Sequence, residues 1–139
     1  MGIIGYTAGA FDMFHIGHLN LLERAKKECD YLIVAVSSDE LVFEYKGKMP
    51  MIPLEERMKI VAAICHVDKV VIQTSRDKKK AFDDYQFDKM FVGSDWKNDV
   101  LFESVDAYMK KKGAFGVVYL PYTEGISSTR LRDRVQSND

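Results

Sequence analysis

Apolar and polar positions fall into blocks along the chain, and the period changes from block to block. Residues 2–6 are short and apolar, and a glycine-containing turn at 8–10 follows, which predicts a buried first strand and its exit loop. In residues 18–29, Leu19, Leu22 and Ala25, with Leu21 beside them, recur at helical spacing. Glu23, Arg24, Lys26 and Lys27 take the other face, so the spacing predicts an amphipathic helix. Tyr31-Leu-Ile-Val-Ala-Val36 is unbroken and rich in β-branched residues, the pattern of a parallel strand covered on both faces. Residues 39–45 add a short helix, and Gly47 and Pro50 punctuate a loop over 46–52. Pro53 suits the first position of a helix, with Glu55 and Glu56 in its first turn, and that helix should reach about Cys65. A third strand is expected over 69–72, a basic loop or helix start over 76–80, and a fourth strand over 89–92, ending at Gly93. A helix over 100–112 is stopped by Gly113. A fifth strand over 115–120 is closed by Pro121, and a last helix starts near Ser128 and frays by Gln136.

Strands alternating with helices imply a single α/β domain over residues 1–139, built on an open parallel sheet with helices on both faces. A chain of 139 residues has the length of one domain. Its composition, 47% hydrophobic and 29% charged, is that of a chain that folds. The formal net charge of −1 excludes a polycation that coats nucleic acid, while leaving room for a local basic site. No apolar run approaches the ~18 residues of a membrane span, and the N-terminus shows no secretion signal. Cys29 and Cys65 are too few for a disulfide framework, and free thiols in a reducing cytoplasm are the expectation. Ligands of open α/β sheets bind beyond the carboxyl ends of the strands. That directs attention to four loops, over 8–18, 37–52, 93–98 and 122–132.

Chemistry concentrates in those loops. The first carries Phe11-Asp-Met-Phe-His15-Ile-Gly-His18. Two histidines three apart share one face if helical, and they lie at a helix N-terminus, where free N–H groups attract anions. Imidazoles there can donate hydrogen bonds to phosphate, and Gly17 lets a ligand approach closely. Two structural histidines are the alternative. A metal site helped by Asp12 and Asp95 is another, but no Cys/His cluster completes it. In the last loop Gly125 permits a turn, and Ser127, Ser128 and Thr129 offer hydroxyls and N–H groups at a helix start. Ordinary N-capping explains such residues too. Arg130 and Arg132 change the balance, because cations oppose the helix dipole there unless an anion is bound, and the segment reads as a polyphosphate cradle. Lys46-Gly47-Lys48 offers either point-charge phosphate ligands or two solvated lysines, and lacks the glycine spacing of a P-loop. Lys78-Lys-Lys80 reads as a solvated charge run. Gly93-Ser-Asp-Trp96 puts the only tryptophan either at the ligand edge of the sheet or in the core.

Taken in order, these residues resemble the nucleotidyltransferase superfamily with the His-x-Gly-His signature, and within it look most like the glycerol-3-phosphate cytidylyltransferases. The likeness runs from Gly9-Ala-Phe-Asp-Met-Phe-His-Ile-Gly-His18 through Asp30-Tyr-Leu-Ile-Val-Ala-Val36 and Gly93-Ser-Asp-Trp96 to Thr123-Glu-Gly-Ile-Ser-Ser-Thr129. It implies a Rossmann-like nucleotidyltransferase fold. It also implies transfer of a cytidylyl group from CTP to a small phosphomonoester, foremost glycerol 3-phosphate, with Mg²⁺ accompanying the nucleotide. By resemblance, His15 and His18 contact the triphosphate and stabilise the transition state, and Lys46 and Lys48 handle acceptor and nucleotide phosphates. The nucleotide would meet Ala10, Phe11, Asp12, Gly17, Asp95, Trp96, Tyr122, Thr123, Glu124, Gly125, Ile126, Ser127, Ser128, Thr129 and Arg132. Arg57 and Lys79 would join Lys46 at the acceptor. The resemblance further implies a cytoplasmic homodimer, with residues 65–70 at its interface, whose product supplies wall or capsule polymers. Ala10, Tyr122 and Cys65-His66 stand where the family usually has Thr, Arg and Arg-Tyr, so the acceptor stays open. Adenylyl or cytidylyl transfer to another phosphorylated acceptor, such as another polyol phosphate, choline phosphate or a phosphoamide, and a non-catalytic nucleotide-binding module are the alternatives.

Overall fold

A computed structural model describes residues 2–121. Its strands are β1 (Ile4–Gly9), β2 (Tyr31–Ser37), β3 (Lys69–Gln73), β4 (Lys89–Gly93) and β5 (Gly116–Leu120). Its helices are α1 (Ile16–Lys27), α2 (Asp39–Lys46), α3 (Leu54–Ala62), α4 (Lys78–Tyr85) and α5 (Val100–Lys111). The strands form one parallel sheet in the order β3-β2-β1-β4-β5. The unbroken apolar run becomes β2, an interior strand buried on both faces from Leu32 onward, as the pattern predicts. Leu32, Val34 and Val36 enter one core layer with Leu22 and Ala25 of α1 and Val61 of α3. Ile33 and Ala35 enter the other, with Phe82 of α4 and Phe102, Val105 and Met109 of α5. Side chains of period two thus serve two layers of helices of period 3.6.

Several boundaries move, each for a local reason. β1 runs to Gly9 rather than ending at Tyr6, because Thr7, Ala8 and Gly9 pair with Val34, Ala35 and Val36 and the Thr7 hydroxyl donates to the Phe91 carbonyl at 2.9 Å. α1 starts two residues early, at Ile16, because His15 caps it. α2 takes in Lys46 and stops at Gly47, which adopts φ +73 with nothing near its missing side chain. Pro53 is the cap rather than the first helical residue of α3, which ends at Ala62, three residues short of Cys65. The basic stretch becomes α4, an eight-residue helix capped by Asp77 and anchored by buried Phe82. Phe115 stays outside β5, 61% exposed. The helix expected from Ser128 lies outside the described residues.

β1 is the point where the sheet changes direction. From β1 the chain builds outward through β2 to β3, then returns to add β4 and β5 on the other side. The loops leaving β1 and β4 therefore diverge, and a crevice opens beyond their carboxyl ends.

Candidate active site

At that crevice lies a cleft of about 540 Å³, walled by the β1 exit, the start of α1, the β4 exit and the β2–β3–α4 edge. Its shape begins with Phe11 and Met13, non-glycine residues at φ +52 and +50. Each left-handed residue costs about 1–2 kcal/mol. The two turns swing Phe11 into the core and turn Asp12 back toward the loop before α3. The Asp12 carboxylate accepts from the Met51 and Ile52 amides at 2.8 and 2.9 Å, tying that loop to the mouth of the cleft.

His15 and His18 open α1 as a reciprocal cap. The His15 ring accepts from the Gly17 amide through Nδ1 at 3.0 Å, and the His18 Nδ1 accepts from the His15 amide at 3.2 Å. An amide can only donate, so each Nδ1 is unprotonated, and in the neutral ring Nε2 must carry the hydrogen. The rings stack at 3.9 Å, and Phe11 and Phe14 flank His18 at 5.4 and 5.3 Å. Burial lowers the pKa of both. His18 falls to about 3, chiefly through burial, with His15 and Lys46 adding to the shift against Asp12. The helix thus begins with two neutral rings, each keeping one Nε2–H donor that the cap does not use, and both residues line the cleft.

Lys46, in the last turn of α2, lines the same cleft, as do Ala10, Gly17, Asp95 and Trp96. Trp96 is 41% exposed and meets Phe102 edge-on at 5.7 Å, so its ring lies at the ligand edge and not in the core. Three expected residues are placed elsewhere. Lys48 is exposed and does not line the cleft. Lys79 points away, 5.7 Å from the Tyr108 ring on α5. Arg57, expected at the acceptor, is 1% exposed. Its guanidinium donates to the carbonyls of Ile52, Ala10 and Ser37 at 2.7–2.8 Å and to Asp39 at 2.5 Å, tying three segments together behind the site. Tyr122, Thr123, Glu124, Gly125, Ile126, Ser127, Ser128, Thr129, Arg130 and Arg132 lie outside the described residues.

The sequence reading missed Lys78, Gln73, Arg76 and Tyr45, which line the cleft beside β3. Lys78 is 7% exposed, bonds the Gln73 side-chain oxygen, and has its pKa lowered to about 8 by burial and by Arg76. The signal was present: Lys78 and Phe82 are one helical turn apart, and both are buried on α4. Three adjacent lysines masked it. Among the described residues no group of three or more His, Cys, Asp or Glu side chains is placed to hold a metal ion.

The cytidylyltransferase-like family model matches residues 6–134. The glycerol-3-phosphate cytidylyltransferase of Bacillus subtilis (strain 168) is 38% identical over 130 residues, 93% of this chain and 94% of that one. The ethanolamine-phosphate cytidylyltransferase of Arabidopsis thaliana is 41% identical over 135 residues, 94% of this chain, which spans only 31% of that longer protein. Among solved structures, the lipopolysaccharide core biosynthesis protein of Thermoplasma volcanium GSS1 superposes with a TM-score of 0.73 at 25% identity, covering 88% of this chain and 98% of that one.

Proposed function

The chain belongs to the cytidylyltransferase-like family and is a nucleotidyltransferase, and on that premise we propose that it joins CTP to glycerol 3-phosphate, giving CDP-glycerol and pyrophosphate. The observation that carries this reading is the pair of neutral histidines, each with an Nε2–H the helix cap does not use, lining the cleft at the sheet's switch point.

An acceptor phosphate oxygen attacks the α-phosphorus of CTP, the bond from that phosphorus to the β-phosphate bridging oxygen breaks, and pyrophosphate leaves with the electron pair. A phosphomonoester is already ionised near neutral pH, its second pKa being ~6, so no general base is needed. Positioning and charge stabilisation remain for the protein. His15 and His18 donate to the α-phosphate and the leaving group as charge grows there, and Lys46 neutralises part of it. Lys78 takes the place proposed from sequence for Lys79 and holds the acceptor phosphate. Trp96 and Asp95 lie against the nucleoside. Mg²⁺ enters with the triphosphate as part of the substrate, and the Asp12 carboxylate is already committed to the Met51 and Ile52 amides. The enzyme works as a homodimer in the cytoplasm.

Pyrophosphate release with Mg²⁺, CTP and glycerol 3-phosphate tests the reaction, with ATP in parallel. Release is expected with CTP and only with acceptor present. A His18→Gln variant tests the histidine. Glutamine at the third helical position returns the same capping hydrogen bond. The fold should survive while kcat falls ~10²–10³, the usual loss for one transition-state donor. Near-normal turnover by that variant overturns the assignment.

A further inference from the structure

The part of the cleft beside β3 gathers the lysines and the arginine that line it. Lys78 forms its floor, with Gln73 as its partner; the Gln73 amide in turn donates to the Ser37 hydroxyl at 2.9 Å. Arg76 stands at the rim, its guanidinium carbon 5.0 Å from the centroid of the Tyr45 ring, and the Lys46 ammonium lies 5.9 Å from the same ring. Attraction between the guanidinium and the ring face fixes Arg76 over the opening. Three cations therefore converge on one end of the cleft.

Two of the nearby carboxylates are engaged elsewhere. Asp77, next to Arg76, caps α4 through the Lys80 amide at 3.1 Å. Asp12 holds the Met51 and Ile52 amides. Glu44 borders a separate shallow depression on the far side of Tyr45 and Arg76. Among the described residues this end offers many donors and no carboxylate to receive an ammonium. Lys78, buried at the floor, is the cation placed for the acceptor phosphate in the reaction proposed above. Arg76 is left to face the rest of the acceptor, where its N–H groups match hydroxyl lone pairs and its charge repels a cation.

We propose that Arg76, held against Tyr45, is the specificity-determining residue of the acceptor subsite, selecting phosphomonoesters with a hydroxylated body over those with an ammonium body. The proposal rests on the cytidylyl transfer described above and adds to it the property that separates the acceptors of the two curated relatives.

The test compares kcat/KM for glycerol 3-phosphate and ethanolamine phosphate, with CTP saturating, in the wild type and in Arg76→Ala, Arg76→Glu and Arg76→Lys. The wild type should prefer glycerol 3-phosphate. Arg76→Ala should narrow that preference about tenfold, the order expected for one partly screened charge. Arg76→Glu should narrow it further through a lower KM for ethanolamine phosphate, and Arg76→Lys should restore much of it. The KM for CTP should stay within about twofold, as a residue acting on the acceptor alone requires. An unchanged acceptor ratio in a turning-over Arg76→Glu enzyme overturns the proposal while leaving the reaction intact. No pyrophosphate with any acceptor, including in the wild type, overturns the reaction itself and this proposal with it.

Discussion

His18 caps its helix with the ring proposed to serve the chemistry, and the burial of that ring has a pH signature. An unfolded histidine takes up a proton near pH 6.5, but the folded ring, with a pKa of about 3, does not. Between those values the unfolded state binds more protons, so stability falls as pH drops, by ~1.4 kcal/mol per unit. Urea unfolding should show ~2 kcal/mol lost between pH 6.5 and 5 in the wild type that His18→Gln does not lose. Equal acid losses in both proteins would contradict the shifted pKa. Lys78 is a buried cation with a pKa shifted in the same direction. Its pKa of about 8 lies below the ordinary 10.5, so the folded state is disfavoured at pH 7 and gains stability as pH rises from 8 to 10.5. Urea unfolding of the wild type should show stability gained between pH 8 and 10.5 that Lys78→Met does not gain, and the substitution should raise the KM for acceptor at least ~10-fold. Arg57 shows what sequence could not reveal. The family resemblance implied a place at the acceptor; its burial makes it a structural tie. Arg57→Met should cost ~3–5 kcal/mol in the same assay, because buried carbonyls and Asp39 lose their donor.

Elements were legible where a helix had one apolar and one charged face, or where a strand was an unbroken apolar run. α1, α5 and β2 announce themselves because each needs only its own periodicity. α4 does not, because its buried positions include a lysine, a residue type that pattern reading assigns to solvent. Boundaries were the weaker part, since capping depends on where a neighbouring chain can supply or accept hydrogen bonds. β1 illustrates the packing that sequence leaves implicit. A side chain on Gly5 would sit 2.6 Å from the Phe91 ring and 2.8 Å from the Cys29 sulfur, so glycine lets β1 lie close to Phe91 of β4 and to the turn that follows α1. Gly5→Ala should lower stability by ~1–3 kcal/mol through overpacking, measured by thermal unfolding. No change in midpoint would mean the layer has slack.

At the scale of the molecule, the sheet's edge and its switch point have different consequences. β3 is an edge strand, and Ile72 on it and Ile60 on α3 are 49% and 41% exposed. Exposed edge strands favour pairing with another chain. In the proposed dimer this side is covered, and a sedimentation or gel-filtration mass at micromolar concentration should be twice that of one chain. Ile72→Lys should shift it toward the monomer, and a monomeric wild type would remove the dimer. By itself, the sequence determined the layer plan, because alternating periods of 2 and 3.6 admit few packings, and it marked His15, His18, Lys46 and Asp95-Trp96 by residue type at loop positions. Only the tertiary structure decided which cations face the cleft. Lys78 and Arg76 line it, while Lys79, Lys48 and Arg57 do not. Adjacent residues on a helix point about 100° apart, so a run of lysines carries no direction until the helix is packed against its sheet.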